Sequence, residues 1–323
     1  MKTKLLFSLI AMALGAVSVV QLAGPPRARV TLHVVGEDGR PIPDVKVLMT
    51  FLGDSKANPV TRVEGLTDGS GNFTGEGLSG GQIGSGLTKD GYYFAGANIP
   101  IFRDSKDGQW QPWNGTYTSI LRKIGNPIAM YAKSIDLEIP AISQPCGYDL
   151  QVGDWVAPYG KGTTSDFIMT LQRRYQNNND FDVTVVLSFS NPDDGIQETQ
   201  LPTEFSSSTF KWPRLAPENG YQSTFSIHSA SDPKKGMSGD TGAAFLQKKY
   251  FFRVRTVKRG GQIVSALYGR INEGIYLHPG SSPTCGIHLN YYLNPTSLDR
   301  GMEFDPQKDL FTGLSFDEKP REP

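Results

Sequence analysis

Four acidic residues, Asp149, Asp154, Asp193 and Asp194, are of the right type to do chemistry. Asp149 and Asp154 flank the strand-like stretch YDLQVGDW, and Asp193 and Asp194 occupy a turn at 192–195. Two carboxylates are the minimum for glycoside hydrolysis, one as acid and one as base or nucleophile, provided that the carboxyl groups lie about 5 to 9 Å apart. Many proteins own such pairs. Convergence of two or more of the four in one cleft is what separates a polysaccharide hydrolase from a non-catalytic protein.

Metal-binding patterns are weak. Asp68, Ser70 and Asn72 alternate as the first oxygen ligands of a calcium loop do, but Phe73 stands where that loop needs glycine, and no glutamate closes it. A hairpin turn accounts for the same residues. The histidines are His33, His228, His278 and His288, and none has H-x-x-x-H spacing. His278 and His288 could meet across a hairpin and hold zinc with a carboxylate, whereas isolated strand and loop histidines are the plainer reading. There is no G-x-S-x-G elbow for a serine nucleophile. The glycine-rich run at 75–86 lacks the Gly-Lys-Ser/Thr ending that cradles phosphate. No catalytic residue, metal ligand or cofactor site is assigned.

The aromatic residues say more. Trp110 and Trp113 stand within six residues of Gln109, Gln111 and Asn114. A flat indole edged by neutral amides suits a sugar, which has an apolar C–H face and a rim of hydroxyls. The competing reading makes these indoles, with Trp155 and Trp212, core or interdomain fillers. Cys146 and Cys285 are the only cysteines, and an even count in an exported chain predicts a disulfide between them.

The elements that must position these groups are strands. The 323 residues suggest roughly two domains at about 150 residues each. With 36 glycines and 22 prolines, the chain is rich in turn residues, as short-stranded β proteins are. Val30, Leu32 and Val34 alternate with Thr31, His33 and Val35, and Phe181, Val183, Val185, Leu187 and Phe189 repeat every second residue. That is the period of a half-buried strand. Further strands are expected at 250–257, 263–271 and 287–293, and a short helix around 119–124. Thirty-two basic and 32 acidic residues leave no field to draw nucleic acid. At the N-terminus, Lys2 and Lys4 precede an apolar run at 5–20, the layout of a secretory signal. Ala16 and Ser18 fit the −3 and −1 positions of a cleavage site, and the alternative is an uncleaved anchor.

The run VTLHVVGEDGRPIPDVKVLM, then GLTDGSGNFTGEG, then LTKDGYYF, resembles the carboxypeptidase regulatory-like family of small transthyretin-like β-sandwiches. The similarity covers about 70 of the 323 residues and departs from the family at Asp44 and in the glycine-rich insertion. It implies that Val45, Val47, Phe73 and Tyr92 fill the space between two sheets, and it implies a binding or accessory module with no catalytic residues of its own. The expectation is therefore an exported all-β chain found in the periplasm, at the cell surface or secreted. It comprises a signal peptide at 1–24, a small transthyretin-like β-sandwich at 27–99 and a connecting region at 100–145. A larger β-sandwich or jelly-roll-like domain follows at 146–298, and a charged tail at 299–323 packs loosely on the surface. A polysaccharide or an envelope protein is the expected partner; nucleic acid is not, and the membrane enters only through an uncleaved signal.

Overall fold

A computed structural model describes residues 25–53, 60–240, 247–281 and 283–323. The signal peptide expected at 1–24 lies outside the described residues. The chain is all-β, and a single 3-10 turn, Thr203–Phe205, is the one helical element among the described residues. None of these residues forms a helix long and apolar enough to cross a membrane.

The first half is built from β1 (Arg27–Val35), β2 (Lys46–Leu52), β3 (Thr61–Leu66), β4 (Asn72–Leu78) and β5 (Gln82–Thr88). To these it adds the short β6 (Ser105–Lys106) and β7 (Gln109–Trp110), and then β8 (Gly115–Ile120). One sheet runs β4-β1-β7-β6 with β8 also paired to β1, and the other runs β3-β2-β5. The alternation in β1 behaves as its pattern dictates: Val30, Leu32 and Val34 are buried and meet Val45, Val47, Met49 and Phe51 from the facing sheet. Phe73 and Tyr92 pack at the margin of this core. The glycine-rich run becomes parts of β4 and β5, for a steric reason. A Cβ at Gly75 would lie 2.5 Å from the Met49 sulfur, and one at Gly77 would lie 2.8 Å from the Phe51 ring. Glycine there lets large side chains of one sheet press against the backbone of the other. The Asp68–Asn72 segment is a hairpin turn, in which Asp68 accepts hydrogen bonds from the Ser70 and Asn72 amides at 2.9 Å each.

The second half holds β9 (Ile128–Glu138), β10 (Pro145–Asp149), β11 (Asp154–Trp155), β12 (Phe167–Asn177), β13 (Asp180–Ser188) and β14 (Gly195–Thr199). It continues with β15 (Thr224–Asp232), β16 (Gly236–Gly239), β17 (Lys249–Arg259), β18 (Gln262–Ile271), β19 (Tyr276–His278), β20 (Gly286–Leu293) and β21 (Phe304–Asp309). One sheet is ordered β11-β10-β12-β13-β15-β16; the other is ordered β14-β17-β18-β20-β9-β21, with β19 on β20. Their inner faces share one core, to which β13 contributes Phe181, Val183, Val185 and Leu187. YDLQVGDW is a tight hairpin in which Tyr148 opposes Trp155 and Asp149 opposes Asp154.

Three expectations need correction. Where a short helix was expected at 119–124, β8 runs parallel to β1 through Ile120, because β1 offers it an unpaired edge. The segment at 299–323 is not a loose tail: Met302 and Phe304 are fully buried, and β21 adds a parallel strand to β9. Cys146 and Cys285 are not bridged. Both are free, fully buried thiols that pack in the second core as small apolar side chains. The Cys146 thiol points to the Gln144 carbonyl at 3.6 Å and that of Cys285 to the Gly286 carbonyl at 3.3 Å. Burial raises both thiol pKa values, that of Cys285 to about 11, so neither is a ready thiolate. A thiol reagent should accordingly label neither cysteine in the native protein and both after unfolding without reductant; an unfolded protein with no reactive thiol would contradict this arrangement.

Candidate functional site

The carboxylates go to structural work. β17 carries a bulge between Val254 and Val257, in which Arg255 adopts φ +56°. A bulge of this kind re-aims a side chain out of the strand's alternation. The Arg255 guanidinium donates to Asp166 at 2.8 Å through both Nε and Nη2, and to Asp149 at 3.1 Å through Nη2, joining the two sheets. Asp149 is also filled by the amides of Gln151, Val152, Thr163 and Thr164 at 3.0 to 3.2 Å. Burial pushes its pKa up, but these amide donors outweigh that and hold it below the usual carboxylate value. Burial pushes Asp166 and Asp194 upward, and Asp194 accepts the Arg255 and Thr256 amides at 2.9 Å. Asp154 caps Trp155 and Lys161, and Asp193 pairs with Lys258. Asp149 and Asp194 therefore do converge on one residue, but their oxygens are buried and already occupied. Acid–base work needs a carboxyl that can reach substrate, and this arrangement denies it.

The histidine pair is offset rather than opposed. Tyr276 faces His288 and His278 faces Gly286, while His278 lies 3.7 Å from Asp136. Among the described residues, no group of three metal-ligating side chains forms.

The Trp110 and Trp113 segment closes an edge of the first half. Both indoles are half-buried. Trp110 donates its ring N–H to the Ser79 carbonyl at 2.8 Å and tilts against Phe102. The neighbouring amides partly serve the chain itself: Gln111 takes the Trp113 amide at 3.4 Å and donates to the Gln109 carbonyl, and Asn114 accepts from Thr31 at 3.0 Å. The indoles thus make neither a bare platform nor a joint between the halves.

That joint belongs to Trp212. It packs with Tyr93, Phe210, Phe251, Tyr268 and Met302 in a cluster drawn from both halves. The loop carrying Trp212 is held by Arg122, a fully buried residue just after β8, which donates to the Phe210 and Trp212 carbonyls at 2.9 and 2.8 Å. Arg122 also pairs with Glu37, and Arg214 bridges Glu37 at 2.7 Å and Glu303 at 2.9 Å. Burial pushes Glu37 up, yet the two guanidinium groups leave its pKa below the usual glutamate value.

Behind this joint opens a cavity of about 580 Å³. The end of β14, the 3-10 turn, the Trp212 loop, the start of β17 and the residues after β18 supply its walls. Trp212 borders it while staying buried in its cluster, neutral hydrogen-bonding groups such as Thr199, Gln200, Thr203 and Gln247 ring it, and Lys211, Lys249, Glu273 and Glu322 add charge. None of these residues forms a sequence motif. Only the dipeptide Lys211-Trp212, an aromatic beside a cation, marks the place along the chain.

No family model matches the sequence, and no curated protein matches it. Among solved structures, the chain is similar to the shaft pilin SpaA of Lactobacillus rhamnosus GG, at 13% identity and TM-score 0.20, over 75% of this chain and 92% of that one. It is also similar to a Bacteroides uniformis protein provisionally described as carbohydrate-binding, at 10% identity and TM-score 0.19, over 84% of this chain and 99% of that one. At these scores neither resemblance carries an argument about function.

Proposed function

We propose that this chain is an exported, non-enzymatic binding module of the cell envelope that holds a saccharide in the cavity behind Trp212. The observation that carries the reading is the lining of that cavity. The hydroxyls and amides of Thr199, Gln200, Thr203, Thr209 and Gln247 beside the apolar Leu201 and Pro202 offer the mixed surface that a sugar ring needs, and ligand sites are concave in the same way. Export is supported by Lys2, Lys4 and the apolar run that follows them. A non-enzymatic role is supported by the filled carboxylates around Arg255. The similarity of the first half to carboxypeptidase regulatory-like sandwiches fits an accessory module.

The Trp110 and Trp113 segment is the second candidate platform, because its indoles remain half-exposed. One experiment separates the two. An affinity panel of xylan, mannan, cellulose and polygalacturonate is run against the wild type, the double variant Gln200→Ala/Thr209→Ala and Trp113→Ala. Binding in the cavity predicts a loss of about tenfold in the double variant, as expected for two hydrogen bonds of about 0.5–1.5 kcal/mol each. Trp113→Ala should then bind as the wild type does. Loss confined to Trp113→Ala would move the site to the first half, and a panel with no binder would remove the saccharide reading altogether.

A further inference from the structure

The cavity bordered by Trp212 has balanced charges: Lys211, Lys248 and Lys249 stand against Glu198, Glu273 and Glu322. No net field there favours an ionic ligand. The rest of the lining is hydroxyls, amides and short apolar side chains, which suit a neutral polyol. A second cavity of about 300 Å³ meets the first at Ser206, Thr209, Lys211 and Glu322, and it adds Phe94, Ser207 and Ser208 to the walls. Trp212 and Phe94 are the aromatic residues that border these two spaces among the described residues, and they differ in access. Trp212 is buried in the joint, whereas Phe94 keeps 49% of its surface exposed.

A single exposed apolar side chain carries little meaning by itself. Phe94, however, is held in place at the seam between the halves. Its neighbours Tyr93 and Ala95 are buried, so the alternation of an extended segment turns Phe94 outward. Ala95 exchanges backbone hydrogen bonds with Leu87 of β5 at 2.8 and 3.3 Å. On the other side, the Phe94 carbonyl accepts the Thr209 amide at 2.9 Å, and the Gly96 amide donates to the Ser207 carbonyl at 3.0 Å. The segment is thus pinned between β5 and the 206–209 loop that borders both cavities. A Cβ at Gly86 would come within 3.2 Å of the Phe94 ring, so glycine there lets the ring rest on the β5 strand. Beside it, the Asn98 side-chain amide donates to the Ser206 hydroxyl at 3.0 Å and orients that oxygen.

Resting on the reading that the first cavity binds saccharide, we propose that the ligand is an extended neutral oligosaccharide, which runs from that cavity into the second and lays an outer sugar ring on Phe94. Phe94 is then the residue that selects for chain length. A disaccharide occupies the first cavity alone and gains nothing from the ring. A longer chain reaches the apolar surface of Phe94 together with the hydroxyls of Ser206, Ser207 and Thr209, which is the pairing of apolar face and polar rim that a sugar presents. The backbone bonds on either side of Phe94 have already fixed its position, so stacking on it costs little ordering entropy.

The test is isothermal titration of the full chain with xylohexaose, mannohexaose and cellohexaose and with the matching disaccharides. The preferred hexasaccharide should bind the wild type at least about tenfold more tightly than its disaccharide, equivalent to about 1.4 kcal/mol. Phe94→Ala should bring the hexasaccharide down to the level of the disaccharide and leave the disaccharide unchanged. Phe94→Trp should keep the preference for length. Phe94→Leu, which retains an apolar cover over Gly86 without a flat ring, should behave as Phe94→Ala does and replaces it should the alanine variant melt early. Equal affinity for the two lengths, or a hexasaccharide indifferent to Phe94→Ala, confines the ligand to the first cavity and overturns the proposal while the saccharide site stands. An equal loss for both lengths in a folded Phe94→Ala gives the ring a structural role and overturns it as well. Trigalacturonate bound more tightly than every neutral chain overturns the neutral class. Where no chain of either length binds, the proposal falls together with the reading on which it rests.

Discussion

Arg255→Met is expected to cost about 3–5 kcal/mol of stability at neutral pH, the usual result of removing one partner of a buried ion pair. Methionine keeps most of the packing volume, so the loss isolates the charge. Asp149 and Asp166, both nearly fully buried, would then face one another without the guanidinium that now donates to each. Asp149 retains its four backbone amides, whereas Asp166 keeps only the Leu150 amide at 2.9 Å. Asp166 is therefore the group that should take up a proton. Its pKa is already raised in the folded protein, chiefly by burial and against the pull of Arg255, and should rise further in the variant. A carboxyl whose folded pKa lies above its unfolded value destabilises the fold at higher pH and ceases to do so as pH falls through the folded pKa. The penalty in Arg255→Met should thus be largest at neutral pH and shrink toward mildly acidic pH. Urea denaturation at the two pH values measures it, and Arg255→Met/Asp166→Asn should recover a substantial part of the loss at neutral pH. A single variant within 1 kcal/mol of the wild type at neutral pH would refute the structural role assigned to this node.

The second large effect is expected at the joint between the halves. Glu303, buried just before β21, accepts the Tyr93 hydroxyl at 2.7 Å, the Gly125 and Asn126 amides at 2.7 and 3.2 Å, and Arg214 at 2.9 Å. Glu303→Ala strands the Tyr93 hydroxyl and the Gly125 and Asn126 amides and removes one of the two carboxylates that hold Arg214, which keeps Glu37 and the Lys123 carbonyl. With hydrogen bonds to charged groups worth about 1.5–3 kcal/mol each and not additive, a total of about 3–5 kcal/mol is expected. The distinguishing result is its shape. Tyr93 belongs to the first half and Arg214 to the second, so calorimetry should show the unfolding endotherm of the wild type splitting into two in the variant. Because Arg122 and Arg214 share Glu37 and Arg122 holds the Trp212 loop, ligand binding in the cavity should weaken as well. One undivided endotherm close to the wild-type midpoint would show that Glu303 does not couple the halves.

Strands were the most legible part of the chain. In β1 and β13 every second residue is apolar and buried, because side chains alternate across a pleated sheet and one face must leave water. The turn at Asp68 was legible for a similar local reason, since its carboxylate reaches amides only two and four residues away. The 119–124 segment was misread because a few residues without clear alternation do not reveal that β1 offers them an unpaired edge. The cysteines were misread because an even count says nothing about where two side chains point. Trp110 and Trp113 drew attention by lying close together in sequence, although their polar neighbours turn out to be partly engaged by the chain itself.

By itself, the sequence determined an all-β chain, the positions of its main strands and a net charge near zero, because these depend on period, turn chemistry and composition, which are local or summed properties. The tertiary structure alone decided what each polar group does. Asp149, Asp166 and Arg255 meet across two sheets, and Glu37, Arg122, Arg214 and Glu303 meet across two halves. The candidate cavity draws Lys211, Lys249, Asn272 and Glu322 from separate elements of the chain. Residues so far apart converge only when sheet order, a β-bulge and a returning C-terminal segment fix their directions, and that information lies in the packing of the sheets rather than in any short stretch of chain.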